Sequence, residues 1–240
     1  MLETSSKSLD PSGTSGLVID NLSLTQLLPA ASTQTLAAMR NDVVNLIGPG
    51  GAGKSTAGAR LARELGYGLI DLDEYFVAHS GDISAYLCSH TYSEYATRNF
   101  TNYRLAMTAI SSPTVFVLSS GFMVYPAEID PGYSGTRDAV EMAPLTFLLM
   151  PSFDFEDCVA MIVERQLSRP YLRSNRGSEE RRIRERFCQY LALRCQRVFT
   201  GVAPERVVSE LIARIAANVP HQSLPVSRVS SPPNQSEKDC

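Results

Sequence analysis

Gly48-Pro49-Gly50-Gly51-Ala52-Gly53-Lys54-Ser55 follows the apolar run Val43-Val44-Asn45-Leu46-Ile47 and opens an apolar-periodic stretch from Ser55 to Leu65. The order is strand, glycine-rich loop, helix. In the pattern G-x-x-x-x-G-K-S the glycines let the backbone curl, so that successive N–H groups and the positive end of the following helix converge on one anion. Gly48, Gly50, Gly51, Ala52, Gly53, Lys54, Ser55 and Thr56 are therefore the expected nucleotide-binding residues. Lys54 reaches the outer phosphates and Ser55 ligates Mg2+. A glycine-rich turn that happens to hold a lysine is the simpler reading, but the buried strand before and helix after are the context that a phosphate loop requires. Of the three lysines, Lys7, Lys54 and Lys238, only Lys54 lies away from the chain's two ends, against nineteen arginines. A chain that otherwise uses arginine keeps a compact point charge where a phosphate needs one.

Outward from this loop, the residues read as alternating strands and helices. Gly66 takes the position just past the first helix, where a left-handed residue is favoured. Gly68 to Asp73 reads as a second strand ending in two carboxylates, Asp71 and Asp73, on one face at i and i+2. Asp82 to Ile110 reads as a polar helical segment, Thr114–Leu118 as a third strand followed by Ser119-Ser120-Gly121, and Leu145–Leu149 as a fourth. A helix is expected from Phe155 to Gln166, another from Arg181 to Arg197, a minimal fifth strand at Val198-Phe199, and a closing helix from Pro204 to Ala217. This alternation predicts an α/β fold of three layers, α/β/α, with a five-stranded parallel sheet and ligands at the carboxyl ends of its strands. The domain is expected over residues 42–218, with a partly disordered extension at 1–41 and a disordered tail at 219–240. Leu17 to Arg40 reads as a short helix or strand without an assigned function.

Composition limits the partners. With 240 residues, 44% hydrophobic, and a net charge of −3, the chain suits one α/β domain and lacks a basic footprint for nucleic acid or an anionic membrane. Five scattered cysteines without a C-x-x-C pair suggest a reducing compartment and no zinc site. No apolar run approaches the ~20 residues of a membrane span, and the first residues do not read as a secretory signal. A cytoplasmic protein is expected.

The chemistry beyond nucleotide binding rests on Asp71, Asp73 and the arginines. One carboxylate near the magnesium shell can hold a metal-bound water, and a second can orient or deprotonate an acceptor hydroxyl. Both could equally be caps for the helix after them. Ten arginines fall between 165 and 197: Arg165, Arg169, Arg173, Arg176, Arg181, Arg182, Arg184, Arg186, Arg194 and Arg197. Ser168 to Ser178, broken by Pro and Gly, suits a lid whose arginines swing over the phosphates.

The loop Gly48 to Thr56, Asp71-Leu72-Asp73, the Gly81-Asp82-Ile83 turn, Arg98, Arg169-Pro170-Tyr171-Leu172 and Glu185-Arg186-Phe187-Cys188-Gln189-Tyr190 together resemble the shikimate kinase family, over about residues 42 to 217. The resemblance implies transfer of the ATP γ-phosphoryl to the 3-hydroxyl of shikimate by a monomer. It implies that Lys54, Asp73 and Arg169 are catalytic, that Ser55 and Asp71 support Mg2+, and that Asp73, Arg98, Ser120, Gly121 and Arg186 bind the acceptor. Arg98 and Arg186 match the arginines that clamp the acceptor carboxylate, Arg169 matches the lid arginine that reaches ATP, and Arg165 falls near the arginine that stacks on adenine. Three departures bear on the acceptor. Ser119-Ser120-Gly121 replaces three consecutive glycines, Thr101 replaces an acid that would orient Arg98 unless Glu94 substitutes, and Phe122–Pro144 is richer in Pro, Gly and acids. A related kinase acting on another hydroxylated carboxylic acid or cyclitol, and a kinase-like fold kept as a ligand sensor, are the alternatives these departures raise.

Overall fold

The computed structural model describes residues 43–168 and 175–218. The expectations for the 1–41 extension, the 219–240 tail and the lid residues Arg169 to Leu172 lie outside these residues. Five strands form one parallel sheet: β1 (Val43–Ile47), β2 (Gly68–Asp71), β3 (Thr114–Val117), β4 (Thr146–Met150) and β5 (Gln196–Phe199), in the order β2-β3-β1-β4-β5. Among the described residues eight helices connect and cover it: α1 (Lys54–Leu65), α2 (Leu72–Ser80), α3 (Ile83–Ser89), α4 (Tyr92–Thr108), α5 (Tyr133–Met142), α6 (Phe155–Leu167), α7 (Arg176–Leu191) and α8 (Pro204–Asn218).

The three central strands are buried throughout, as their unbroken apolar runs require of strands covered on both faces. On one face, Val44, Leu46, Val115, Val117, Phe147 and Leu149 alternate inward against Ala57 and Leu61 of α1 and Val208 and Leu211 of α8. Each such side chain taken fully from water contributes about 1.5–3 kcal/mol. On the other face, Phe116 of β3 meets the ring of Tyr103 from α4, with centroids 5.3 Å apart. The one polar residue of β1, Asn45, is satisfied by the neighbouring strand: its amide donates to Thr146 Oγ1 at 3.1 Å, and that hydroxyl donates to the Val140 carbonyl at 2.6 Å.

The fold class stands as read, while several boundaries move. β2 ends at Asp71, and Asp73 lies in the first turn of α2, so the two carboxylates are not strand neighbours on one face. The polar segment after it is two helices. Thr91 accepts from the Glu94 N–H at 3.2 Å while the Glu94 carboxylate accepts from the Thr91 N–H at 2.7 Å, a capping box that restarts the chain as α4. α7 begins five residues earlier than Arg181, because the Asn175 side chain accepts from the Ser178 N–H at 2.8 Å and caps it. It ends at Leu191, and Gln196 and Arg197 join β5. Phe122–Pro144 holds two short 3₁₀ turns and α5, pinned by the buried Tyr133, whose hydroxyl donates to Phe122 O at 2.6 Å and accepts from the Tyr125 N–H at 3.1 Å.

Candidate active site

The loop between β1 and α1 is shaped by three glycines with positive φ, Gly48 at 136°, Gly51 at 77° and Gly53 at 89°. Gly48 could carry no side chain, since a Cβ there would stand 2.3 Å from the Leu149 carbonyl oxygen. The helices α2, α3, α4, α6 and α7 start with a side-chain cap, whereas α1 starts at Gly53 with no side-chain cap and no acid in its first turn. Its first N–H groups and dipole are therefore offered to an anion from outside the chain. Lys54, the first residue of α1, is 8% exposed and donates from Nζ to the Gly48 and Pro49 carbonyls at 2.8 and 2.9 Å. Its ammonium thus lies along the loop that it would share with phosphates.

Asp71 is a cap, one of the two readings the sequence left open, and it also contacts the phosphate loop's helix. One carboxylate oxygen accepts from the Asp73 N–H at 3.0 Å and caps α2, and the other accepts from the Ser55 hydroxyl at 2.6 Å. The strand end and the first turn of α1 are thereby joined at the place where two oxygen ligands for a hard cation would meet. Arg165 from α6 bridges the loop and the turn after β5, donating to Gly51 O at 3.3 Å and Thr200 O at 2.9 Å.

Opposite this loop stands a wall of aromatic side chains. Tyr92 and Tyr95 of α4 and Tyr125 after β3 have ring centroids 5.8 to 6.4 Å apart. Burial pushes all three phenols above their ordinary value, and the Asp73 charge adds in the same direction. Tyr125 is fixed by Asn99, whose amide donates to its hydroxyl at 2.8 Å. Arg186 from α7 donates to the Tyr92 hydroxyl at 2.9 Å, with its guanidinium carbon 5.3 Å from the ring centroid. The Tyr190 hydroxyl donates to the Ser120 carbonyl. Gly121 closes the floor, for a Cβ there would meet Tyr92 Oη at 2.4 Å and Tyr125 Cε1 at 2.6 Å. A cleft lined by Gly50, Ser120, Gln166, Arg182, Arg186 and Tyr190 opens beside the loop.

A phosphate loop, an acid that joins it to the second strand, and a helix returning an arginine across the cleft meet within one domain. The family model described as shikimate kinase matches residues 50–216. The chain belongs to the shikimate kinase family.

Solved structures of shikimate kinases share its fold. The Acinetobacter baumannii enzyme, in complex with shikimate, superposes with a TM-score of 0.59 at 18% identity, covering 76% of this chain and 98% of that one. The Bacteroides thetaiotaomicron enzyme gives 0.56 at 17%, covering 72% and 98%, and the Aquifex aeolicus enzyme 0.53 at 20%, covering 73% and 97%. No curated protein sequence matches the chain. Membership places the chain among P-loop kinases, the ATP-using phosphotransferases.

Within this shikimate kinase-like site the expected residues divide. Gly48 to Thr56, Asp71, Asp73, Ser120, Gly121, Arg165 and Arg186 all lie at the carboxyl edge of the sheet or on helices beside it. Arg98 makes a contact of its own. It is exposed on α4 and donates to Ser80 Oγ at 2.9 Å, at the far end of α2 from Asp73, about 10 Å along the helix by its rise. Glu94, which could have oriented it, is occupied in the capping box. Arg169 lies outside the described residues. Residues that the sequence reading did not select are Tyr92, Tyr95, Tyr125 and the group Gln166, Glu179 and Arg182. The cue for the tyrosines was available: Tyr92, Tyr95 and Asn99 recur at helical spacing beside the acceptor segment.

Proposed function

We propose that the protein transfers the γ-phosphoryl group of ATP to a hydroxyl of a hydroxylated ring carboxylic acid, with shikimate the first candidate acceptor. The observation that carries this reading is the Ser55–Asp71 hydrogen bond, which ties the start of α1 to the strand end just before Asp73, and Arg186 lines a cleft with Pro49 and Gly50 of the loop. The cradle fits a triphosphate: its glycines leave no room for side chains at Gly48, and its helix is uncapped. Gly50, Gly51, Ala52, Gly53, Lys54, Ser55 and Thr56 would hold the phosphates, and Ser55 and Asp71 would hold Mg2+, which supplies charge neutralisation when bound. No group of three or more metal-ligating side chains stands together among the described residues, so such an ion would share its coordination with phosphate oxygens.

In this mechanism Asp73 accepts the hydroxyl proton of the acceptor as the oxygen attacks. Lys54 stabilises charge on the transferring group, and Arg186 fixes the acceptor's carboxylate through paired N–H donors. The lid arginine Arg169 would complete the charge clamp. The aromatic wall excludes water from the acceptor side.

The replacement of glycines by Ser119-Ser120 and the tether of Arg98 to Ser80 favour, as a second reading, a different hydroxylated acid or cyclitol as acceptor, or a ligand-sensing role. A coupled assay of ADP release with ATP and Mg2+, with and without shikimate and with Lys54→Ala as control, tests the proposal. Shikimate-dependent release that the variant lacks supports it. ATP binding without any stimulation would refute shikimate as acceptor, and failure of a wider acid and cyclitol panel would leave the sensing role.

A further inference from the structure

Helix α7 buries an acid that the reaction above does not use. Glu179 is 4% exposed, and a buried carboxylate persists only where it is paired. One of its oxygens accepts from Arg182 Nη1 at 2.7 Å and the other from Gln166 Nε2 at 3.4 Å. Gln166 is itself pressed on the phosphate loop, where a Cβ on Gly50 would come within 2.5 Å of that amide nitrogen. A continuous line of contacts therefore runs from the loop through Gln166 and Glu179 to Arg182.

Arg182 precedes Arg186 by one helical turn, a spacing that puts both side chains on one face about 6 Å apart. Both line the cleft with Gly50 and Ser120. Glu179 engages Nη1 of Arg182, whose side chain is 51% exposed, and a guanidinium has further N–H donors beyond the one that carboxylate takes.

We propose that Arg182, held in place by Glu179, is the second guanidinium with which this chain grips the carboxylate of its acceptor, beside Arg186. This rests on the reading that the acceptor is an acid. Arg98, the residue expected in that place from the sequence, is tied to Ser80. Glu179 is a positioning residue, and the specificity it creates is for an acid over the corresponding neutral polyol.

The test titrates shikimate, quinate, gluconate and a neutral cyclitol, inositol, into the full chain by calorimetry, alongside a non-hydrolysable ATP analogue. It compares wild type with R182M, R182K and E179Q. At least one acid should bind the wild type in preference to inositol, and R182M should weaken that acid about tenfold or more while leaving the nucleotide analogue within about twofold. R182K should recover part of the loss, and E179Q should raise the acid's KM about threefold with little change in kcat. Unchanged acid affinity in R182M, a loss that falls on the nucleotide analogue, or a wild type that binds no acid would each overturn the proposal. Should R182M melt early, R182K and E179Q carry the same comparison. Acid binding that depends on Arg182 without any ADP release would keep the clamp and remove the kinase reading.

Discussion

The two sides of the cleft are built from different materials. The phosphate side is main chain: positive-φ glycines, an uncapped helix start and carbonyls that hold Lys54. The side proposed for the acceptor is side chain: three tyrosines, Arg182, Arg186 and Asp73, supplied by α2, α4, the turn after β3, and α7. Backbone donors serve any polyphosphate and are hard to alter one residue at a time, whereas a wall of side chains can be retuned by single substitutions. The difference teaches where this chain keeps the family's common chemistry and where it is free to choose its own acceptor.

Lys54→Ala should produce the largest separation of the two sides. Loss of that charge at the transferring group should reduce kcat by about 10²–10³ or more, while urea melts and acid binding at the acceptor side stay near wild type. A variant with nearly full turnover would break the assignment of the phosphate side. Asp71→Asn sharpens the contrast within one residue. Asparagine caps a helix as well as aspartate, so stability should change by less than about 1 kcal/mol, but the anionic oxygen that meets Ser55 is lost. Turnover should fall about 10–100-fold and its Mg2+ requirement should rise; equal losses of stability and activity would mean that the residue is a cap and nothing more.

Gly121→Ala acts on the other side alone. A methyl group there collides with Tyr92 and Tyr125, so the acceptor KM should rise about tenfold at a cost of about 1–3 kcal/mol in chemical denaturation. ATP affinity should hold, and a matching loss of nucleotide binding would show that the two sides are mechanically one. The smallest effect is alkaline. Burial raises the phenols of Tyr95, Tyr125 and Tyr190, and that of Tyr133 to about 12, while in the unfolded chain they ionise near pH 10. Above that value the unfolded state holds fewer protons than the folded one, so the tyrosine contribution to stability should be level up to about pH 10 and fall beyond it, after an earlier decline from the buried thiols of Cys158 and Cys195, which burial raises to about 11. Melting temperatures measured from pH 8 to 11 check this, and Tyr95→Phe should flatten the decline.

How much was legible follows the same division. The phosphate side is eight consecutive residues between a strand and a helix, and local rules of backbone conformation suffice to read it. The fold followed from buried β-branched runs alternating with helical periods. The acceptor side joins residues from Asp73 to Tyr190 that only the folded sheet brings together. Arg98 shows what sequence leaves open: it has the type and approximate place of a carboxylate clamp, and only the fold shows that its Nε donates to Ser80. The capping box at Thr91 and Glu94 is a local signal, and it would have divided Asp82–Ile110 into its two helices and removed Glu94 as a partner for Arg98. The early start of α7 needed the Asn175 cap, which lies within the proline- and glycine-broken stretch where helical periodicity is weak.

The chain contains no tryptophan and ten tyrosines, of which Tyr92, Tyr95, Tyr125, Tyr133 and Tyr190 stand in or behind the acceptor wall. Its near-ultraviolet emission is therefore weighted toward one side of one cleft. The unmodified protein carries its own optical reporter there, and a molecule that settles against that wall will announce itself in tyrosine fluorescence, without a label and before any phosphate has moved.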